Sequence, residues 1–296
     1  MTSQLMDSTL MESELVLNAD GSVYHLNLLP EEIADTIILV GDPNRVKQVS
    51  KYFDRIEVQK TKREFVTHTG FIGKKHISVV GTGIGAGNID ITMNELDALH
   101  NIDLKNRVVK NNHKKLNFIR MGTSGALQDH IDVDSLLISS FGVGLDGLVL
   151  YYDWKNNEAE KKLLTACREK FSATPFLNTL YVAAGAKSLI DLFEKNNLGL
   201  TGITLTCPGF YGPQNRQLRA QLSEPGIFSV ARKIKVENHV ITNLEMETAA
   251  IYGMARLLNH DACSINAILA NRFTHSFSSN PDRVVEQMIQ KVLALL

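Results

Sequence analysis

Gly41-Asp42-Pro43-Asn44-Arg45 follows the apolar run Thr36-Ile37-Ile38-Leu39-Val40. A strand that feeds a glycine and then a helix start turns backbone N–H groups toward an anion. Arg45, in the first helical turn, adds a forked cation matched to a phosphate edge. The same residues also read as a plain βα turn, with Asp42-Pro43 making the bend and Arg45 on the surface. Arg120-Met121-Gly122-Thr123-Ser124-Gly125 is a second anion candidate. Arg120 closes the strand-like stretch Asn117–Met121, where a charge is costly without a partner. Thr123 offers a hydroxyl, and Gly122 and Gly125 let the backbone approach a ligand closely. The structural alternative is a buried ion pair of Arg120 with Asp129 or Asp132.

Phe210-Tyr211-Gly212-Pro213-Gln214-Asn215-Arg216 follows the strand-like Ile203-Thr204-Leu205-Thr206 and bends at Gly-Pro. An aromatic ring can stack on a flat base, and a side-chain amide can both donate to and accept from a base edge. Its alternative is a turn with a packed aromatic pair and solvated polar residues. In Asn243-Leu244-Glu245-Met246-Glu247-Thr248, extended backbone points Glu245 and Glu247 the same way, whereas a helix separates them by about 200°. A carboxylate beside a sugar can accept bonds from neighbouring hydroxyls. Acidic residues are also favoured near a helix N-terminus, which explains one carboxylate more readily than both. Gly81, Gly83, Gly85 and Gly87 do not fit Gly-x-Gly-x-x-Gly, so close helix–sheet packing is the reading there and a dinucleotide site is not.

The elements that must position these groups alternate. Strand-like runs at Thr36–Val40, Ile77–Val80, Asn117–Met121, Ser135–Ser139, Ile203–Thr206 and Ile265–Leu269 are separated by helical patterns, including Asn88–His100 and Thr248–Leu258. Asn280 as cap, Pro281 at the first position, and Val284, Met288, Val292 and Leu296 every fourth residue predict a final amphipathic helix. Such alternation argues for an α/β protein with a largely parallel sheet and ligands at the strands' carboxyl ends. No linker or internal repeat divides the chain, which reads as one domain after a polar, aperiodic lead segment over residues 1–21. Lys105–Lys115 is basic and reads as a solvated surface loop rather than a binding patch.

The chain has 296 residues, 31 Lys+Arg and 32 Asp+Glu, for a net charge of -1. That balance points to no nucleic-acid or membrane partner, so an anionic ligand must be met locally. Cys167, Cys207 and Cys263 lack metal-ligand spacing and read as reduced thiols in a cytoplasmic protein. The N-terminus has no secretory pattern, and no apolar run approaches the length of a membrane helix.

Taken in order, these pieces resemble the nucleoside phosphorylases, specifically the uridine phosphorylases, from about Val23 to the C-terminus. The matching elements are Val23-Tyr24-His25-Leu26, Gly41-Asp42-Pro43-Asn44-Arg45-Val46, Arg63-Glu64-Phe65, Thr82-Gly83-Ile84-Gly85, Arg120 to Gly125, Phe210-Tyr211-x-x-Gln214-x-Arg216 and Glu245-Met246-Glu247. The resemblance implies a single-domain three-layer α/β/α sandwich with a large mixed central sheet over residues 22–296. It implies phosphate binding by Gly41, Arg45, Arg120 and Thr123, joined by Arg63 from a neighbouring subunit. It implies that His25 crosses a dimer interface to the ribose 5′-hydroxyl, and that Met246 and Glu247 hold the ribose with Glu245 nearby. Gln214 and Arg216 would grip the pyrimidine edge while Phe210 packs on the ring, so that Arg216, Gln214 and Arg120 carry catalysis.

The reaction so implied is reversible phosphorolysis of uridine, with inorganic phosphate as co-substrate and no cofactor or catalytic metal. The assembly so implied is a homodimer with shared active sites, usually built into a hexamer. Some members bind potassium at the interface through a glutamate and a serine; Glu64 is present, but Asn88 stands where the serine is expected, which leaves that ion open. The Lys105–Lys115 stretch is longer than in compact bacterial relatives, and Gly212-Pro213 replaces the commoner Pro-Gly or Glu-Gly. The competing readings are a purine nucleoside phosphorylase, a hydrolase, and a catalytically silent nucleoside- or phosphate-binding protein. Purine enzymes carry an aspartate where this chain has Leu269-Ala270-Asn271-Arg272, and water needs no arginine cluster.

Overall fold

The apolar run before Gly41 forms a buried strand, β1 (Thr36–Val40), in the computed structural model of the protein, which describes residues 9–237 and 239–296. Asp42 caps the helix that follows, α1 (Pro43–Ser50): its carboxylate accepts from the Asn44 N–H at 2.9 Å, and Pro43 takes the first turn. Next come β2 (Arg55–Lys62), β3 (Phe65–Ile72), β4 (Lys75–Gly81), α2 (Ala86–Asn101), β5 (Ile102–Asp103), β6 (Val108–Val109) and β7 (Asn117–Ala126). The order continues with β8 (Leu136–Gly144), α3 (Glu158–Lys170), β9 (Tyr181–Ala184), α4 (Lys187–Lys195), β10 (Leu200–Thr206), α5 (Ile227–Ala231) and β11 (Lys235–Val236). It ends with β12 (His239–Glu245), α6 (Thr248–Leu257), β13 (Asp261–Asn271), β14 (Ser276–Phe277) and α7 (Pro281–Leu295).

The described residues group into two compact units, each assembled from non-adjacent segments. The first takes the residues up to Gly83, with Asn88–Ile119 and Leu258–His260; the second takes Ile84–Gly87, Arg120–Leu257 and Asp261–Leu296. In the first, β1 pairs in parallel with β4, while β4–β3 and β3–β2 are antiparallel. α1 packs on β3 and β4 and buries Val46 and Val49. In the second, β8–β10 and β10–β12 are parallel, and β13–β8, β12–β7 and β8–β9 are antiparallel. α6 packs on β8, β9, β10 and β13 there, and the core between α3, α5 and the strands includes Leu163, Cys167, Phe228, Leu205 and Leu244.

The protein is thus α/β with a large mixed sheet. The largely parallel sheet expected from strand–helix alternation is not what forms. The β2–β3 and β3–β4 connections are too short to hold a crossover helix, and a two-residue turn can only return the chain antiparallel. The end of the chain follows its sequence closely: Asn280 accepts from the Arg283 N–H at 3.2 Å, and Val284, Met288 and Val292 are buried while Leu296 is only partly so. Among the described residues no helix is long and apolar enough to cross a membrane.

Lys105–Lys115 is largely solvent-exposed, as a solvated charge run should be, but it contains one strand of a short hairpin rather than being a plain loop. β5 and β6 form a hairpin whose tip residue Arg107 donates to the Leu15 carbonyl at 2.7 Å through both terminal nitrogens, and its own carbonyl accepts from the Leu10 N–H at 2.8 Å. Lys110 caps the His100 carbonyl at 2.8 Å, and Lys114 pairs with Asp35 at 2.6 Å. Arg107 and Lys110 thus hold backbone, while Lys114 holds a carboxylate. Of the lead segment, residues 1–8 lie outside the described residues; the rest is tied down by Arg107 and by a bridge between Leu17 and Val23.

Candidate active site

β7 continues through Ala126, so Gly122-Thr123-Ser124-Gly125 is strand rather than loop, held there by pairing of Gly125 and Ala126 with Leu244 and Asn243 of β12. The Arg120 side chain folds back along its own strand. A Cβ on Gly122 would lie 1.5 Å from Arg120 Nη1, so only glycine admits this conformation. The guanidinium is buried, with Nη2 donating to Glu247 Oε2 at 2.5 Å and standing 3.1 Å from Glu245 Oε2. Its Nη1 donates to Asn266 Oδ1 at 2.9 Å. Asp129 and Asp132, the acids nearest in sequence, are not its partners: both are exposed, and Asp129 pairs with Arg232 at 3.2 Å. Thr123 sits half-buried three residues along.

Glu245 and Glu247 do not share one task. Glu245 ends β12 and turns into the start of α6, accepting from the Thr206 hydroxyl at 2.7 Å and from the Glu247 and Thr248 N–H groups at 2.9 Å. It is the helix-terminus carboxylate, an arrangement that stabilises α6 and leaves its oxygens committed. Glu247 accepts from the Gly85 N–H at 2.7 Å and from Arg120. Burial raises the Glu247 pKa above the usual carboxylate range, with Arg120 opposing and the Glu245 charge adding to the shift. Burial alone would lower that of Arg120, but the charges of Glu245 and Glu247 raise it instead, so the guanidinium stays charged. Met246, between the two acids, is partly exposed.

The loop after β10 makes one tight turn at Gly212–Gln214, and Asn215 (φ 53°) then adopts the left-handed conformation. This buries Gln214 and leaves Phe210 half exposed. Arg216 Nη1 donates to the Phe210 carbonyl at 2.8 Å and to Gln214 Oε1 at 2.5 Å. A guanidinium only donates, so the amide oxygen of Gln214 faces it and the amide N–H2 points elsewhere. The Arg216 guanidinium also lies 3.8 Å above the Phe210 ring, so that face stacks on the cation here rather than standing open to a base. Burial, and then the charge of Arg272, lower the Arg216 pKa to about 10. Arg272 was not marked as a site residue by the sequence. It follows β13 and approaches Gly125, whose added Cβ would be 3.5 Å from Arg272 Cγ. The signal available was a cation at the end of an apolar strand, the same one that marks Arg120. Asn271 beside it is consumed structurally: its amide donates to the Gln128 and Ile131 carbonyls at 2.9 Å, and its oxygen accepts from the Phe273 and Thr274 N–H groups.

Within the first unit, Gly41 and Arg45 stand together at the β1–α1 junction, where the Arg45 N–H donates to the Asp42 carbonyl at 2.9 Å. Arg63 occupies the exposed tip of the β2–β3 hairpin with φ 52°, a left-handed conformation that costs a non-glycine residue about 1–2 kcal/mol. Its guanidinium lies 5.4 Å from the Tyr24 ring centre, and the His25 ring meets Tyr24 edge-on at 4.9 Å. Tyr24 thereby brings Arg63 and His25 into one cluster. Glu95 fixes His25: it accepts from the His25 and Leu26 N–H groups at 2.8–3.0 Å and faces His25 Nδ1 at 2.7 Å. Its place on α2 gave no hint of this from sequence. Among the described residues no group of three or more His, Cys, Asp and Glu side chains could hold a metal ion.

A sequence profile of the phosphorylase superfamily matches residues 35–296. A uridine phosphorylase of Thermococcus kodakarensis is 28% identical over 94% of this chain and 87% of its own length. One from Haemophilus influenzae is 26% identical over 93% of this chain and 96% of its own. The crystal structure of a Trypanosoma brucei nucleoside phosphorylase, described as showing uridine phosphorylase activity, superposes with a TM-score of 0.86 at 25% identity, covering 95% of this chain and 99% of that one.

Proposed function

Because the chain belongs to the phosphorylase superfamily, we propose that it is a uridine phosphorylase, cleaving uridine with inorganic phosphate to uracil and ribose 1-phosphate. The observation that carries the pyrimidine reading is the Arg216–Gln214 pair with the charge of Arg272 bearing on it. Both arginines and the amide nitrogen of Gln214 are donors, suited to the carbonyl oxygens of uracil and to negative charge on a departing base.

In the reaction a phosphate oxygen forms a bond to C1′ as the C1′–N1 bond breaks, and the base leaves with the electron pair. The sugar passes through oxocarbenium character and needs no covalent enzyme intermediate. Arg120 and Thr123, with Gly41, Arg45 and a neighbouring subunit's Arg63, are assigned to phosphate. Met246, Glu247 and a neighbouring subunit's His25 are assigned to ribose. Glu245, whose oxygens are engaged at the start of α6, is assigned to holding Glu247 and Arg120 rather than to touching sugar. A homodimer with shared sites, built into a hexamer in the cytoplasm, is the assembly proposed. An interface potassium stays open, because Glu64 is present but Asn88 stands where the serine is expected.

The direct test is uracil release from uridine with and without phosphate. Release is expected only with phosphate and in step with ribose 1-phosphate. Equal release without phosphate would make the protein a hydrolase, and no release under either condition would make it a binding protein.

Arg63 supports shared sites because it stands at an exposed hairpin tip, beside the Tyr24 ring and hydroxyl, from which a long cation can reach a neighbouring subunit. Arg63→Gly is expected to gain up to about 1 kcal/mol in urea unfolding, since glycine adopts that φ freely, while losing most activity. Mixing it with Glu247→Ala protein should restore part of that activity through mixed dimers. An Arg63→Gly enzyme as active as wild type would remove the residue from the site.

A further inference from the structure

Asn266 is fully buried in the middle of β13, where an amide needs partners for both its oxygen and its nitrogen. The oxygen accepts from Arg120 Nη1 at 2.9 Å. A guanidinium has no acceptor, so the amide cannot be turned the other way. Its Nδ2 then faces the Ser139 and Ser264 hydroxyls, each at 3.2 Å. The direction propagates. Thr204 gives its proton to Asn243 Oδ1 at 2.8 Å, so in the 2.6 Å contact between Ser139 and Thr204 it is Ser139 that donates. Asn243 Nδ2 donates in turn to Ser124 Oγ at 2.9 Å. Every donor on this line points away from Arg120, and the line ends on β7, the strand that carries Arg120.

We propose that Asn266 is a positioning residue for phosphate: it tethers the Nη1 edge of Arg120 so that the remaining N–H groups of the guanidinium present a fixed edge to the anion. The inference rests on the reading of Arg120 as a phosphate ligand. Without Asn266 the guanidinium is gripped only through Nη2, on the side of Glu245 and Glu247, and is free to turn into that pair. The tether must also be neutral. Two carboxylates already face the single positive charge of Arg120, and a third would deepen the negative charge where phosphate has to bind. An amide supplies the acceptor without the charge, and the hydroxyl line behind it fixes which way that amide points.

Uridine phosphorolysis is measured at varied phosphate and varied uridine for wild type, Asn266→Ala, Asn266→Asp and Arg120→Ala. The phosphate KM is expected to rise roughly tenfold in Asn266→Ala and further in Asn266→Asp, with the uridine KM within about twofold of wild type. The rise in melting temperature that inorganic phosphate produces should shrink in the same order. A merely structural role would lower the melting temperature and move both KM values together, and that result overturns the inference. Should Asn266→Ala fail to fold, Asn266→Ser, which keeps an oxygen on a smaller side chain, carries the same comparison. A phosphate KM shifted in Arg120→Ala but not in the Asn266 variants overturns only the tether. A phosphate KM unshifted in Arg120→Ala overturns the reading beneath it.

Discussion

Arg120→Ala is expected to raise the phosphate concentration needed for half-maximal turnover by roughly 10- to 100-fold, the equivalent of one charge-assisted contact of about 1.5–3 kcal/mol. It is also expected to destabilise the protein. Glu245 and Glu247 both face the guanidinium from buried positions, and removing one partner of a buried ion pair costs about 3–5 kcal/mol because the other charge is left unpaired. Against a total stability of about 5–15 kcal/mol, that loss is large enough to need its own measurement. The pH dependence separates the two effects. The Glu247 pKa is already raised by burial, and losing Arg120 removes the charge that opposes the shift. A carboxyl group whose folded pKa is raised contributes stability below its unfolded value and loses it as pH rises through the folded value. The variant should therefore melt closer to wild type in mildly acidic than in mildly alkaline buffer. Arg120→Lys keeps a charge but not the fork, so it should fold better and still need more phosphate. A folded Arg120→Ala enzyme with undiminished turnover at low phosphate would take Arg120 out of the anion site.

Elements whose signals are local were legible in the sequence. The Asp42-Pro43 helix start, the Asn280 cap and the buried every-fourth-residue face of α7 form as the residues predict. These signals lie within one or two turns of backbone, where hydrogen-bond geometry leaves few options. The strand through Arg120 is legible from its apolar run, but it extends to Ala126, past the glycine that suggests its end. Gly122 and Gly125 suggest a loop on local grounds, whereas pairing with β12, far along the chain, keeps them extended. Sheet direction is hidden for a related reason: alternation of strands and helices says nothing about hairpins as tight as the one at Arg63-Glu64.

The side-chain partners were the least legible part. Arg120 announces that it needs an acid, but the acids nearest in sequence are solvent-exposed, and the fold supplies Glu245 and Glu247 across the strand pairing instead. The two-residue spacing of those acids suggested a shared role. The spacing is real, yet the first acid lies at a strand end and the second just inside a turn, so one caps α6 and the other is left for Arg120 and Gly85. Glu95 and Asn266 carry no sequence signal at all. A glutamate in a helix and an asparagine in a strand are ordinary until the fold shows that each faces a charged or titratable site residue.

Uridine is expected to be a far better substrate than inosine, and Gln214→Ala is expected to cost uridine cleavage heavily. The Gln214 amide is buried and its oxygen accepts from Arg216 at 2.5 Å, so the substitution removes the proposed base contact and also releases the guanidinium that would stabilise the leaving base. Two coupled charge-assisted contacts are worth more than one, and a loss of roughly 100-fold or more in kcat/KM corresponds to about 3 kcal/mol. Residual inosine cleavage should change little, because a purine does not present the same pair of carbonyl oxygens to that edge. A site built to bond polar groups also rejects a ligand that leaves them unpaired more strongly than an apolar shape can. The stretch where purine enzymes carry their proton donor also differs here. Departure of a purine is eased by protonation at N7, and Leu269-Ala270-Asn271-Arg272 contains no carboxyl group to supply it. Asn271 cannot substitute, since its amide is fully used in holding the Gln128–Ile131 and Phe273–Thr274 backbone. The measurement is kcat/KM for both nucleosides, in wild type and in Gln214→Ala, at saturating phosphate. A wild-type value for inosine equal to or above that for uridine would end the pyrimidine reading, whatever the Gln214 variant does.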